Sequence, residues 1–121
     1  MSVNTVVPTV KKVVQEKGEI NDELDYALMN YVLQHVGPGY TACQPQLVEL
    51  SDGKQAIKMG IDSTYRGKDN QIMGFGIVGS LFVDVSSMKV IYCSSQEELE
   101  ANIKKLKDAG VEPQPRPKGK Y

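Results

Sequence analysis

A short glycine-rich segment in the second half of the chain has the spacing of a phosphate-binding loop. Gly74-Phe75-Gly76-Ile77-Val78-Gly79 matches G-x-G-x-x-G, whose glycines let the backbone approach a pyrophosphate at the start of a helix. The next residues, Ser80–Val85, have the pattern of a strand, so the helix that would hold the phosphate is missing. We therefore expect the glycines of segment 74–79 to form β-bulges or to allow close packing of a helix. Ligand binding is the other interpretation.

The polar segment just before these glycines carries side chains suited to an anionic ligand. Residues 65–71 are predicted to form an exposed loop between two strands. Its arginine and lysine could pair with a phosphate or carboxylate, and its tyrosine could stack on a planar ring. A solvated loop without a ligand is the competing interpretation. The candidate ligand-binding residues are Tyr65, Arg66, Lys68, Asn70, Gly74 and Gly76.

Two residues of the following strand are candidates for a protein interface. Phe82 and Asp84 alternate with three apolar neighbours and should therefore point away from the covered face of the sheet. Aspartate is disfavoured in strands, so either Lys89 on the next strand or a ligand should compensate it. An aromatic ring on an uncovered sheet face typically marks an interface. We predict that Phe82 and Asp84 lie at the interface of a homodimer.

The residues that could bind a metal or act as nucleophiles have no diagnostic spacing. His35, Cys43 and Cys93 are the only histidine and cysteines of the chain, and they match neither C-x-x-C nor H-x-x-x-H. We therefore predict no metal site and no cofactor, and small buried side chains for the two cysteines. A nucleophile motif such as G-x-S-x-G is missing as well, so the sequence leans against an enzyme without deciding the question.

The composition is that of a globular protein without a charge excess. Of the 121 residues, 40% are hydrophobic and 24% charged, and the net charge is −1. The lack of a basic excess therefore argues against nucleic-acid partners, and the lack of a long apolar run argues against a membrane span. Two cysteines are too few for a disulfide framework, and no secretory signal is visible, so we expect a cytoplasmic protein. The length predicts one domain over residues 1–111, followed by a tail.

Helical patterns precede the strands. Pro8 and three spaced valines predict a first helix ending at Gly18, although valine is a mediocre helix former and the adjoining stretch 3–7 could be extended. A second helix should begin after Asn21, a good N-cap, and end at Gly37. Its apolar stripe consists of Leu24, Leu28, Tyr31, Val32 and His35.

Strand patterns and one further helix fill the rest of the domain. Alternating apolar residues around Asp52-Gly53 predict a hairpin, and two more strands follow on either side of Ser86-Ser87. Ser95 and Glu98 have the spacing of a capping box, and Gly110 provides the C-cap of the last helix. Three prolines make residues 112–121 a flexible, lysine-rich tail.

These elements predict an α+β fold. Its antiparallel meander of four to five strands should carry two N-terminal helices and one C-terminal helix on one face. The favoured function is a small soluble binding or interaction module, homo-oligomeric and without its own catalytic apparatus. The alternative is a protein that binds a small molecule or nucleotide through loop 65–71 and segment 74–79. The partner would then be an anionic small molecule rather than another protein.

Overall fold

The computed structural model describes residues 7–18 and 20–115, with Lys68 described by its backbone alone. The elements in chain order are β1 (Val10–Gln15), α1 (Asp22–His35), β2 (Tyr40–Leu50), β3 (Gln55–Arg66), a 3-10 turn (Lys68–Asn70), β4 (Ile72–Asp84), β5 (Lys89–Cys93), α2 (Gln96–Asp108) and β6 (Gln114–Pro115).

The strands form one antiparallel sheet in the order β1-β2-β3-β4-β5, with the short β6 paired to β4. The predicted antiparallel meander is confirmed. The described residues form six strands rather than four to five and two helices rather than three, with one N-terminal helix instead of two. Residues 10–15, expected to be helical, form the edge strand β1 instead. Val10 pairs with Leu50 and Val13 with Val48. The β-branched valines fit a pleated strand better than a helix, and this long-range pairing overrides the helical spacing.

Both helices within the described residues begin at predicted caps. The Asn21 side chain accepts a hydrogen bond from the Leu24 amide at 2.8 Å, and acidic residues fill the first turn of α1. Ser95 and Glu98 form the complete capping box of α2. At the other end of α2, the Val111 amide donates to the Leu106 carbonyl and Gly110 has a φ of +85°, which is the predicted glycine C-cap in a Schellman arrangement.

The main core lies between one face of the sheet and the two helices. Buried side chains of β3 and β4 pack against Leu28 and Val32 from α1 and Leu99 from α2. Ile103 and Leu106 are half-buried at its border, as the stripe of α2 predicts. His35 is exposed rather than part of the stripe of α1, and its ring lies 4.1 Å from that of Tyr31.

A second, smaller cluster lies on the opposite face of the sheet. Phe82 is only 1% exposed and meets Tyr92 edge to face, with 6.1 Å between ring centroids. The expectation of an exposed ring at this position is therefore wrong, and the interface role of Phe82 loses its support. The Asp84 carboxylate accepts hydrogen bonds from the Ser86 amide and the Ser87 hydroxyl, so the turn after β4 compensates it.

The loops near the candidate ligand residues are shorter than predicted. β3 continues to Arg66 and β4 begins at Ile72, so Tyr65 and Arg66 lie in a strand rather than in a loop. Within the predicted tail 112–121, Gln114 pairs with Gly74 and Pro115 with Met73. The rest of that tail, 116–121, lies outside the described residues.

Candidate functional site

An open cleft lies where the ends of β3 and β4 meet the end of α2. Its volume is about 400 Å³, which is in the range of pockets that hold small molecules. The lining residues are Tyr65, Phe75, Lys107, Gly110, Val111, Glu112 and Pro113. The cleft therefore combines two aromatic rings, one ammonium group and one carboxylate.

Strand register places the two aromatic rings on the same side of the sheet. Thr64 pairs with Gly74 and Tyr65 with Met73, so Tyr65 and Phe75 are diagonal neighbours across the β3–β4 ladder. Tyr65 is 47% exposed, whereas Phe75 is half-buried against the main core. One ring is thus held by packing and the other is open to solvent, which leaves aromatic surface accessible to a ligand.

The end of α2 supplies the positive charge. Lys107 Nζ lies 5.7 Å from the centroid of the Phe75 ring, within the range of a cation–π contact. The turn at Gly110 then reverses the chain, and Glu112 and Pro113 form the adjacent wall. The pairing of Gln114 with Gly74 fixes this wall to β4. The side of the cleft that holds Lys107 and the wall formed by Glu112 and Pro113 therefore both depend on how α2 ends.

The structure separates the residues that the sequence grouped as a ligand site. Tyr65 faces the cleft, but Arg66 follows it in the same strand and must point to the opposite face. Asn70 lies in the turn with a φ of +59° and is not among the residues that line the cleft. The side chain of Lys68 lies outside the described part of the chain.

Each glycine of segment 74–79 lies where it contributes to strand pairing, to a bulge or to helix packing. Gly74 is paired on both sides, with Thr64 and with Gln114. Gly76 has a φ of +91° at an irregularity in the β3–β4 register, where other residues would be strained. A Cβ at Gly79 would collide with the Leu99 side chain, so this glycine lets α2 approach the sheet. The predicted bulges and close helix packing are both confirmed.

Sequence reasoning missed Phe75 and Lys107 as functional candidates. Phe75 lies inside the glycine motif, in which only the glycines are expected to contact a ligand. Lys107 is one of several lysines of α2 and has no distinguishing sequence context. Lys107 follows Ile103 by four residues and precedes Gly110 by three. The helical period alone could therefore have placed it beside the core-facing stripe, at the capped end.

Cys93 is a poor candidate for redox chemistry. Cys43 is buried, as predicted, and Cys93 is half-buried. Burial, with a smaller effect of Glu98, raises the pKa of the Cys93 thiol to about 11, so its reactive thiolate is rare at neutral pH. No three His, Cys, Asp or Glu side chains within 7–18 and 20–115 are arranged to hold a metal ion.

Comparison with protein-family models, with curated proteins and with solved structures returned no match. Neither helix of the described chain is long and apolar enough to cross a membrane. The function must therefore be argued from the geometry of this chain alone.

Proposed function

We propose that the protein binds a small planar anion, namely an aromatic ring that carries a carboxylate, sulfonate or phosphate. The observation that carries the proposal is the position of Lys107 over the Phe75 ring, with Tyr65 on the same face of the sheet. Stacking of a planar ring on an aromatic side chain contributes about 1–3 kcal/mol per ring. The ammonium group would pair with the anionic substituent and exclude cationic ligands.

The neighbouring carboxylate of Glu112 limits how much negative charge the cleft can accept. One cation and one anion line it, so a ligand with a single negative charge fits better than a nucleoside triphosphate. The Schellman turn also satisfies the carbonyls at the end of α2, which reduces their repulsion of an anion. This ligand class narrows the anionic small molecule that the sequence offers as the alternative partner.

Two fluorescent probes of similar shape test the proposal. 8-Anilinonaphthalene-1-sulfonate carries one negative charge, and N-phenyl-1-naphthylamine carries none. Titrations should use the wild-type chain, Lys107→Gln, Tyr65→Ala and a matched control, Lys105→Gln. Lys105 lies in the same last turn of α2 and is exposed, but it does not line the cleft. Both lysine substitutions thus remove one charge from the same helix end.

The expected result is a selective loss of affinity. Lys107→Gln should weaken binding of the sulfonate about tenfold, the value of one charge-assisted contact, and leave the neutral probe almost unchanged. Tyr65→Ala should weaken both probes, and Lys105→Gln neither. Equal effects of Lys107→Gln and Lys105→Gln on the sulfonate would show only general charge attraction. Binding unaffected by Tyr65→Ala and Lys107→Gln would place the probes elsewhere, and either result overturns the proposal.

A cytoplasmic location is part of the same proposal. Its support is the sequence, whose two cysteines are too few for a disulfide framework. Cell fractionation with immunoblotting of the protein tests it, and recovery of the protein with secreted or membrane markers overturns it.

A further inference from the structure

Helix α1 carries a second apolar stripe on a side that neither the sheet nor α2 covers. Tyr26, Met29 and Leu33 are 69%, 58% and 55% exposed. Their spacing of three and four residues places them within one narrow strip of the helix surface. The core-facing residues Leu28 and Val32 lie on a different side. Large apolar side chains in such an arrangement are typical of an interface rather than of scattered surface residues.

The stripe borders a part of the sheet edge that no further strand of the described chain covers. A groove of about 200 Å³ runs between α1 and the start of β2, lined by Met29 and Leu33 on one side and by residues 40–42 on the other. β1 pairs with β2 only at residues 47–50. Among the strands that the structure describes, residues 40–42 therefore pair with β3 alone. An open backbone edge next to an apolar helix face is suited to another strand that brings its own apolar cover.

The area of the stripe indicates what kind of partner is needed. At roughly 200 Å² for each large side chain, the exposed fractions amount to about 350 Å². A stable interface buries about 800 Å² on each partner, so the stripe alone is too small. The partner must also contact the strand edge. A second copy of this chain offers both surfaces, a helix stripe and a strand edge, in the same relative position.

We propose that two copies of this chain associate about a two-fold axis, edge of β2 to edge of β2, with the two α1 stripes in contact. Antiparallel pairing of residues 40–42 would join the two sheets into one. The two α1 helices would then cross over the junction of the two β2 strands, on the helix-covered face of the joined sheet. Met29 would lie near Met29 of the second copy, and Tyr26 near Leu33 of the second copy. Such a self-complementary contact closes after two subunits, as isologous interfaces do.

Charge is compatible with this arrangement. The acidic residues of α1, Asp22, Glu23 and Asp25, all lie in its first turn. Antiparallel helices place the two acidic turns at opposite ends of the interface, so like charges do not meet. A parallel arrangement would bring six carboxylates of the two copies together and would be strongly disfavoured.

Analytical ultracentrifugation and a cross-link test the proposal. The wild-type chain should be a dimer at about 100 μM, and Met29→Glu should raise the dimer dissociation constant at least about tenfold while the circular-dichroism spectrum stays native. Ala101→Glu, an exposed position on α2, is the control and should remain dimeric. In a second measurement, Met29→Cys should form a disulfide-linked dimer under mild oxidation, whereas Ala101→Cys should not.

A wild-type chain that is monomeric at this concentration overturns the proposal. So does a dimer that survives Met29→Glu, because its interface must then lie elsewhere. A folded Met29→Glu monomer together with a Met29→Cys cross-link is the only combination that supports the predicted axis. Because the cleft is formed by β3, β4 and α2, loss of the dimer should not change probe binding, so the two proposals fail independently.

Discussion

Asn102 on α2 donates a hydrogen bond from its side-chain amide to the carbonyl oxygen of Val78 on β4, at 2.7 Å. β5 pairs with β4 only beyond residue 80, and β6 only at Met73 and Gly74. Asn102 therefore satisfies a strand-edge carbonyl in the interval where neither strand is present. The backbone amide of Ser94 satisfies a second carbonyl of β4, because it donates to the Ser80 carbonyl at 2.9 Å. A side chain of α2 and the residue before its N-cap thus take the place of an edge strand along this part of β4.

Removal of the Asn102 amide should destabilise the protein. Val78 is only 5% exposed, so its carbonyl would lose its partner without full access to water. Asn102→Ala should lower the free energy of unfolding by about 1–3 kcal/mol. Asn102→Asp, which keeps the size but replaces the donor by an acceptor, should lower it at least as much at neutral pH. Urea unfolding measures both, and two variants within about 0.5 kcal/mol of wild type would contradict this role.

Gly79 should tolerate no larger side chain while Leu99 is present. A Cβ at this position would collide with the Leu99 side chain and lie 2.8 Å from Ser94 Oγ. Gly79→Ala should therefore cost about 1–3 kcal/mol through overpacking. Leu99→Ala alone should cost about 2–5 kcal/mol, because Leu99 is fully buried. The double variant should cost less than the sum of the two, since the new methyl group partly fills the cavity. Additive costs in denaturant unfolding would show that the two sites are not in contact.

The elements with strong local signals could be predicted from sequence. The capping box at Ser95 and the glycine C-cap at Gly110 define α2 within a few residues, and no distant contact is needed to read them. β1 could not be recognised in the same way, because it is an edge strand whose conformation depends on pairing with β2 far along the chain. Its exposed valines give neither a clear period of two nor a buried helical face.

The candidate site was only half predictable for a related reason. The sequence singles out Tyr65, which lines the cleft, but it groups Tyr65 with Arg66, which the strand alternation sends to the other face. The residues that Tyr65 joins, Phe75 and Lys107, come from a different strand and from a helix. Their proximity follows from the β3–β4 register and from the length of α2, and neither is fixed by a short sequence window.

The thiol of Cys93 should make stability depend on pH in the alkaline range. Its pKa is raised to about 11, mainly by burial and secondarily by Glu98, from an ordinary value of 9.0. The folded state therefore keeps the proton over the range in which the unfolded chain releases it, and stability should fall as pH rises from about 9 to about 11. Cys93→Ser should flatten this part of the stability curve measured by thermal unfolding. An unchanged slope would show that other groups cause it.

The wall formed by the C-terminal segment should matter more for binding than for folding. Glu112 and Pro113 line the cleft, and Gln114 and Pro115 tie them to β4, but Glu112, Gln114 and Pro115 are exposed and add little to the core. A chain that ends at Val111 should therefore lose less than about 1 kcal/mol of stability, as expected for surface changes. It should also bind 8-anilinonaphthalene-1-sulfonate several-fold more weakly, because one side of the cleft is gone. A chain that ends at Pro115 is the control and should bind like the full chain. Unchanged binding by the shorter chain would show that the ligand contacts only Tyr65, Phe75 and Lys107, whereas a large loss of melting temperature would mean that β6 stabilises the sheet.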